Sequence, residues 1–502
     1  VLFNQQHDIL PGTGLPEVHQ DAMEDYRQIF QRGGKVLNES LHHLAAQVNS
    51  EGGGIPLIVF NPLAWIRTDV AEVEIELPPS TRSLKVFDDE GKEMVSEIVH
   101  DKGKVKPLFI AEEVPSMGYR VFYIKTSDQV EKTQSSIAVN KEEIENEFFK
   151  IKLDPATGTM RSIKDKRYGR EVLDGSGKGN ILQAFADTES AWDLLGPCTE
   201  VEHWDLTEVD DIAVVEQGPV RAMLRVTRRW RSSQFVQDII LYRGIPRIDC
   251  RMTVDWREKH TLLKAAFPVS VKADSATYEI PYAAISRSTA NMTLYEQSQY
   301  EVPALQWADV SDGKYGVSLL NDSKYGYDIK GSQMRLTLLR GPSSPDPHAD
   351  EGEHHFTYSL YPHAGDWRAA GTVPQGYELN APLSVITSQS HKGILPSRKS
   401  FLEVSPRNVV AAVVKRAEDS ETWIVRLYES TGQKAQVSLK VTEIIKRAVE
   451  TDLLEREIPQ SPAERDGAEG AHGISVRGSE ARFDMMPYEI KTLKLEFQDM
   501  KQ

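Results

Sequence analysis

Residues 5–13 read Gln5-Gln6-His7-Asp8-Ile9-Leu10-Pro11-Gly12-Thr13. His7 offers an imidazole that can ligate a metal ion. Asp8 offers a carboxylate that can touch the metal or a bound substrate, and Pro11-Gly12-Thr13 makes a turn ahead of a helix. These groups suit a site in which a zinc ion orients or polarises oxygen atoms. One histidine cannot hold Zn²⁺, since a catalytic site takes about three protein ligands and keeps one open position. The alternative is a histidine that caps or packs against the helix start, with no metal. Residue types alone leave both readings open.

Other donors are scattered. His19-Gln20-Asp21 falls on a predicted helix, where positions i and i+2 point about 200° apart and cannot share an ion. His203-Trp204-Asp205 falls on a predicted strand, where i and i+2 do share a face. His348, His354 and His355 lie with Asp346, Asp350, Glu351 and Glu353 in one predicted loop, which either binds a cation or lines a cleft. No phosphate loop, Gly-x-Ser-x-Gly elbow or Cys-x-x-Cys pair occurs. Gly175-Ser176-Gly177-Lys178-Gly179 reads as a turn. Arg228-Arg229-Trp230-Arg231 reads as alternation on a strand rather than a nucleic-acid patch. Trp192, Trp256, Trp307 and Trp367 could stack on sugars, but a strand tryptophan is a core residue by default.

The elements that carry these groups change character after about residue 50. Pro16 suits a first helical position with Glu17 beside it. Val18, Ala22, Tyr26 and Phe30 then predict one buried stripe. Gly33-Gly34 predicts a break, and Leu37, Leu41, Leu44, Ala45 and Val48 predict a second helix, closing a hairpin at Gly52-Gly53-Gly54. From there the period is 2. Glu72-Val73-Glu74-Ile75-Glu76-Leu77 predicts a strand ending at Pro78-Pro79. Residues Thr126 to Gln134 predict a linker. Phe148 to Leu153, the turn at Asp154 to Gly158, and Met160 to Ile163 predict a hairpin. Strand-like runs continue to about residue 390, too long for a small barrel and suited to a large sandwich. A last β unit includes Trp423 to Tyr428, Val437 to Val441 and Leu493 to Phe497, with a charged loop at Gln460 to His472.

Composition bounds the rest. A 40% apolar share and eight Trp in 502 residues support a large core. The net charge of −16 disfavours nucleic acid and anionic membranes. No run approaches the 18 apolar residues of a membrane span, and no signal peptide is visible at the amino end. Cys198 and Cys250 are the two cysteines, which fits a reducing cytoplasm, although they could still pair.

Gln6-His7-Asp8-Ile9-Leu10-Pro11-Gly12-Thr13 resembles the late active-site motif of glycoside hydrolase family 38 α-mannosidases. Val59-Phe60-Asn61-Pro62-Leu63-Ala64-Trp65 resembles the start of their first β domain. Val254-Asp255-Trp256, His260 to Lys264, Asn321 to Tyr327, Pro345-Asp346-Pro347 and Tyr361 to Trp367 resemble their large β domain. The resemblance covers essentially the whole chain and is closest to the cytosolic and bacterial branch. It implies a mainly β chain with four parts. Residues 1–50 would be the end of the active-site motif and a short helical hairpin of the middle bundle. Residues 51–135 would form a small β-sandwich, 136–395 a large mutarotase-like super-sandwich, and 396–502 a C-terminal β domain.

The resemblance further implies a zinc-dependent retaining α-mannosidase acting on terminal α-mannosides of oligosaccharides. His7 would be a zinc ligand and Asp8 a substrate contact. The His-x-Asp zinc pair, the nucleophile and the general acid belong to an N-terminal catalytic domain that this chain lacks, so the isolated chain is expected to be inactive, to bare an apolar patch where that domain docks, and to form homo-oligomers. Two other readings stand beside this one: a non-catalytic carbohydrate-binding or interaction module of β-sandwich type, and an independent sugar-processing enzyme.

Overall fold

The computed structural model describes residues 1–77, 81–101, 104–129, 135–187, 202–290, 292–458 and 473–498. Trp192, Cys198 and the charged stretch 460–472 lie outside the described residues, as do residues 130–134 of the expected linker. The chain divides into two compact units. One comprises Val1–Leu44, Lys132–Tyr278 and Ser286–Asn380, and the other Ala45–Glu131, Glu279–Ile285 and Ala381–Gln502. Mainly β structure is what the alternating sequence predicts, and it is what forms.

The expected helical hairpin does not form. Pro16–Ala45 is one continuous α-helix of 30 residues, about 45 Å long at 1.5 Å per residue. Gly33 and Gly34 each cost a helix only about 1 kcal/mol relative to alanine, and no proline or left-handed cap follows them. The predicted stripe is also not buried along its length. Ala22 and Ala45 are buried, but Phe30 is 74% exposed and residues 31–40 are all exposed.

In the first unit, the predicted hairpin is present as Phe149–Leu153 paired with Met160–Asp165. Its turn closes through Gly158 N–H donating to Asp154 O at 2.7 Å. Gly158 sits at φ +66°, and a β-carbon there would stand 2.6 Å from Val226 Cγ1, so two constraints call for glycine. This hairpin belongs to a five-stranded sheet. A nine-stranded sheet and a six-stranded sheet complete the sandwich. The six-stranded sheet runs in the order His203–Asp205, Ile181–Ala186, Thr261–Pro268, Gln333–Arg340, Gly326–Lys330 and Val302–Pro303. Strand residues of alternate parity, such as Ala184, Leu263, Ala265 and Leu336, enter one core with Trp256 and Tyr358.

The second unit holds two smaller sandwiches. The first packs a sheet containing Ile55–Asn61 and Gly118–Ser127 against one of Arg67–Glu72, Lys104–Val114 and Ser96–Asp101, over a core that includes Val59, Phe122, Ala71 and Phe109. Thr126 and Ser127 thus belong to a strand, not to a linker. Ser384–Thr387 and Arg398–Ser400 also join this sandwich, pairing with Ile55–Asn61 and Gly118–Ser127. Residues 72–77 do not make the predicted strand, because the ladder ends at Glu72. Val73 still donates to Pro107 O, but Pro107 has no N–H to return. The burial alternation survives without the ladder, as Ile75 and Leu77 pack on the core. The second sandwich opposes two four-stranded sheets, one centred on Ala435–Val441 and Glu480–Met485, the other on Trp423–Glu429 and Ile490–Phe497.

Candidate functional site

The His7 motif is a compact turn ahead of the long helix. Gln6 organises it: Oε1 accepts from the Asp8 N–H at 2.8 Å and the Ile9 N–H at 3.2 Å, while Nε2 donates to Asp8 Oδ2 at 3.0 Å. Thr13 closes the other side, its hydroxyl donating to Asp8 Oδ1 at 3.1 Å and its N–H to Asp8 O at 2.9 Å. Gly12 at φ +80° lets the chain turn back. Asn4 is buried beneath and donates to Ala22 O at 3.3 Å, tying the turn to the helix. The hydrogen bond from Gln6 first, then that from Thr13, holds the Asp8 carboxyl below the usual carboxylate range.

Asp8 is therefore an oriented, ionised carboxylate. His7 beside it is turned outward, its side chain 88% exposed and its Nε2 3.6 Å from Asp8 Oδ2. Among the described residues no three histidine, cysteine, aspartate or glutamate side chains come together in a way that could hold a metal. The donors present thus fit a contribution of one imidazole, with a carboxylate at its side, and not a complete zinc site.

The other sequence candidates are placed as follows. His19 is half-buried and Asp21 exposed on the helix. His203 and Asp205 do share a face, but Asp205 binds Lys178 and Gln183 while His203 stacks on Phe185. Part of the acidic loop is strand, since Gly352–Ala364 includes His354 and His355. His348 Nδ1 meets Glu351 at 3.1 Å, His354 Nε2 meets Asp350 O at 2.7 Å, and His355 Nε2 meets Glu353 at 2.7 Å, so three different partners divide the cluster. Asp346 and His348 face His19, Met23 and Arg27 across a groove beside the helix. Trp256, Trp307 and Trp367 are all core residues. Arg228 is fully buried, and burial pushes its guanidinium down to about 10; it donates to Thr157 O and Leu206 O. Residues 175–177 make a bend, with Ser176 N–H donating to Asp174 at 2.8 Å, and Gly179 pairs with Met160 in a β-bridge.

One constellation was not visible in the sequence. Ser318 Oγ donates to Asp309 Oδ2 at 2.8 Å, and His363 Nε2 lies 2.7 Å from the same oxygen and 3.2 Å from the same hydroxyl. A relay would need the two imidazole nitrogens to face serine and aspartate separately. Here one nitrogen faces both, and all three residues are buried, so the cluster pins neighbouring strands. No described helix is long and apolar enough to cross a membrane.

Comparison with known proteins matches three segments. Residues 1–44 match the alpha mannosidase middle domain, 144–348 the glycosyl hydrolases family 38 C-terminal domain, and 408–493 the glycosyl hydrolases family 38 C-terminal beta sandwich domain. Alpha-mannosidase 2C1 of Homo sapiens is 31% identical over 99% of this chain and 45% of its own length. Alpha-mannosidase G of Dictyostelium discoideum is 28% identical over 86% of this chain and 42% of its own length. The chain therefore spans less than half the length of these curated relatives. In fold, the crystal structure of an alpha-mannosidase from Enterococcus faecalis V583 superposes with a TM-score of 0.81 at 19% identity, over 99% of this chain and 62% of that one.

Proposed function

Since the chain belongs to glycosyl hydrolase family 38, we propose that it is the β-rich portion of an α-mannosidase that removes terminal α-mannosyl residues from oligosaccharides. The observation that carries this reading is the family order of the three matched segments, which begins at the turn bearing His7 and Asp8. We assign His7 one ligand position on Zn²⁺ and Asp8 a contact with substrate hydroxyls. When bound, zinc supplies Lewis acidity and orients sugar oxygens. The chain's own part is to hold Asp8 ionised through Gln6 and Thr13 and to keep the imidazole turned outward.

A retaining glycosidase needs two carboxyl groups about 5–5.5 Å apart. We assign neither to this chain. The nucleophile, the acid and the other zinc ligands are assigned to a further region of the kind the longer relatives have room for. Such a region would cover the exposed apolar residues Phe30, Val36 and Leu37 of the helix. We also keep the cytoplasm as the place of action, which the low cysteine count supports.

Turnover of an aryl α-mannoside by the 502-residue chain with added Zn²⁺ is the test. None is expected from the chain alone, and turnover is expected from a longer protein in which this sequence follows an α-mannosidase catalytic region. Robust zinc-dependent turnover by the chain alone overturns the division of labour. A longer protein that is inactive on every α-mannoside overturns the substrate.

A further inference from the structure

The outer face of the six-stranded sheet carries a groove of about 560 Å³, within the size range of small-molecule sites. Strand alternation builds it. Ala184, Leu263, Ala265 and Leu336 turn into the core, so Gln183, Lys264 and Arg335 turn outward. Register then sets them in rows. Gln183 lies opposite Asp205 on one side and Lys264 on the other; Arg335 lies opposite Ala266 and Asp328. Ala266 is small, which leaves space between the rows. Ile181 and Pro268, both buried, lie at its base.

A continuous hydrogen-bonded network lines the walls. Lys178 Nζ and Gln183 Nε2 each donate to Asp205 at 2.8 Å. Gln183 Oε1 accepts from Arg335 Nε at 3.0 Å, and Arg335 Nη1 donates to Asp328 at 2.8 Å. Lys264 and Asp328 are almost wholly buried behind it. A sheet face that merely met water would leave such charges in solvent. Burying them costs free energy and fixes planar groups in place. His203 stacks on Phe185 with ring centres 5.5 Å apart, making one wall flat.

The charges identify the class of ligand. Lys178 is matched by Asp205, Arg335 and Lys330 face Asp328, and Asp174 stands at the groove's end. With the buried Lys264 and its second partner Glu301 included, four cations and four carboxylates leave no surplus to attract an anion. Fixed carboxylate, amide and guanidinium planes beside the exposed, flat His203 ring suit a neutral ring that presents neighbouring hydroxyls at its edge and C–H groups on its face.

We propose that this groove is a second, non-catalytic saccharide site that takes one neutral pyranose residue. That the residue is mannose rests on the α-mannosidase reading above; that the groove takes a pyranose does not.

Saturation-transfer NMR of the 502-residue chain with methyl α-D-mannopyranoside tests it. Transfer to the ring protons is expected at millimolar sugar. Asp205→Asn removes the charged acceptor and is expected to weaken binding roughly tenfold. Ser332→Trp, on the turn at one end of the groove, is expected to block the groove without touching the network, so loss of fold in one variant does not decide the matter. Asp8→Ala is expected to retain the signal, which separates the groove from the turn. Equal transfer in the parent chain and both groove variants, or no transfer at all, overturns the site. Loss of the transfer on addition of inorganic phosphate overturns it in favour of an anion site. If the longer enzyme cleaves α-mannosides while the groove gives no transfer, the groove falls and the function stands. If the groove binds pyranosides while the longer enzyme ignores α-mannosides, the function falls and the groove stands.

Discussion

Glu429 is buried at the end of a central strand of the C-terminal sandwich and acts as an acceptor hub. Its Oε1 accepts from Asn408 Nδ2 at 2.9 Å, Thr431 N–H at 2.8 Å and the Thr431 hydroxyl at 2.5 Å. Its Oε2 accepts from the N–H groups of Gly432 at 2.6 Å, Gln433 at 3.0 Å and Tyr488 at 3.0 Å. Glu429→Gln keeps the shape and replaces one oxygen by an NH₂ donor. Its least damaging orientation places that NH₂ on the Thr431 side, where the hydroxyl can turn and accept. Two donors, the Thr431 N–H and Asn408 Nδ2, are still left facing another donor. Thr431 N–H loses its acceptor at about 2 kcal/mol, while the half-buried Asn408 Nδ2 keeps the Thr431 hydroxyl at 3.4 Å and loses about 1 kcal/mol, so the loss is ~3 kcal/mol.

For a unit of this size that loss corresponds to about 10 °C in melting temperature. Burial raises the Glu429 carboxyl, but the hydrogen bonds from Thr431, Tyr488 and Asn408 together win and hold it below its ordinary value. A carboxyl depressed in the folded state stabilises above its unfolded pKa, and that contribution disappears as pH falls through the folded pKa. The gap between parent and variant is therefore expected to be widest near neutral pH and to shrink on acidification. Hydrogen exchange by mass spectrometry reads the amides of Thr431, Gly432, Gln433 and Tyr488 directly. Unchanged exchange at these four, with a melting shift below ~2 °C at neutral pH, refutes the argument.

Two further outcomes are expected. Gln6→Ala removes the main hydrogen bond that keeps the Asp8 carboxyl low, so its titration, followed by carbon-13 NMR, is expected to move to higher pH; an unmoved midpoint would show that Gln6 does not orient it. The exposed face of the long helix is expected to bind an apolar dye and to promote association of the chain, and Phe30→Glu with Leu37→Glu is expected to reduce both; a parent chain that scatters light as a monomer and binds no dye counts against the proposal that this face meets a partner or a second copy.

Much of the fold could be read locally. The alternation in Phe149–Leu153 and Met160–Asp165 and the Asp154 to Gly158 turn between them specify a hairpin without reference to the rest of the chain. Local signals mislead where a missing cap or a distant partner decides the outcome. Gly33-Gly34 reads as a break, but two glycines weaken a helix without ending it when no cap is supplied. Residues 72–77 alternate well enough for a strand, yet their ladder stops because Pro107, more than thirty residues away, lacks an N–H. The turn around His7 could be found because its groups are contiguous in sequence. Its ordering could not, since nothing local says that Thr13 will reach back to Asp8.

The groove was illegible for a related reason. Gln183, Asp205, Arg335 and Asp328 each look like an ordinary polar residue on a half-exposed strand, and only the pairing of five strands spread over about 160 residues sets them side by side. What the sequence did contain was a local inconsistency. Lys264 interrupts the otherwise apolar run Leu262 to Phe267, and all eight residues of its strand are buried. A lysine in a fully buried strand must meet carboxylates, because an unpaired ammonium there would be neutralised or expelled. In the folded chain it lies 3.0 Å from Glu301 and 3.4 Å from Asp328. A charge on one face of a core strand must find its partners on that same face, here from a strand two positions away and from Glu301 just outside the sheet, and the polar cluster around Lys264 follows from that requirement.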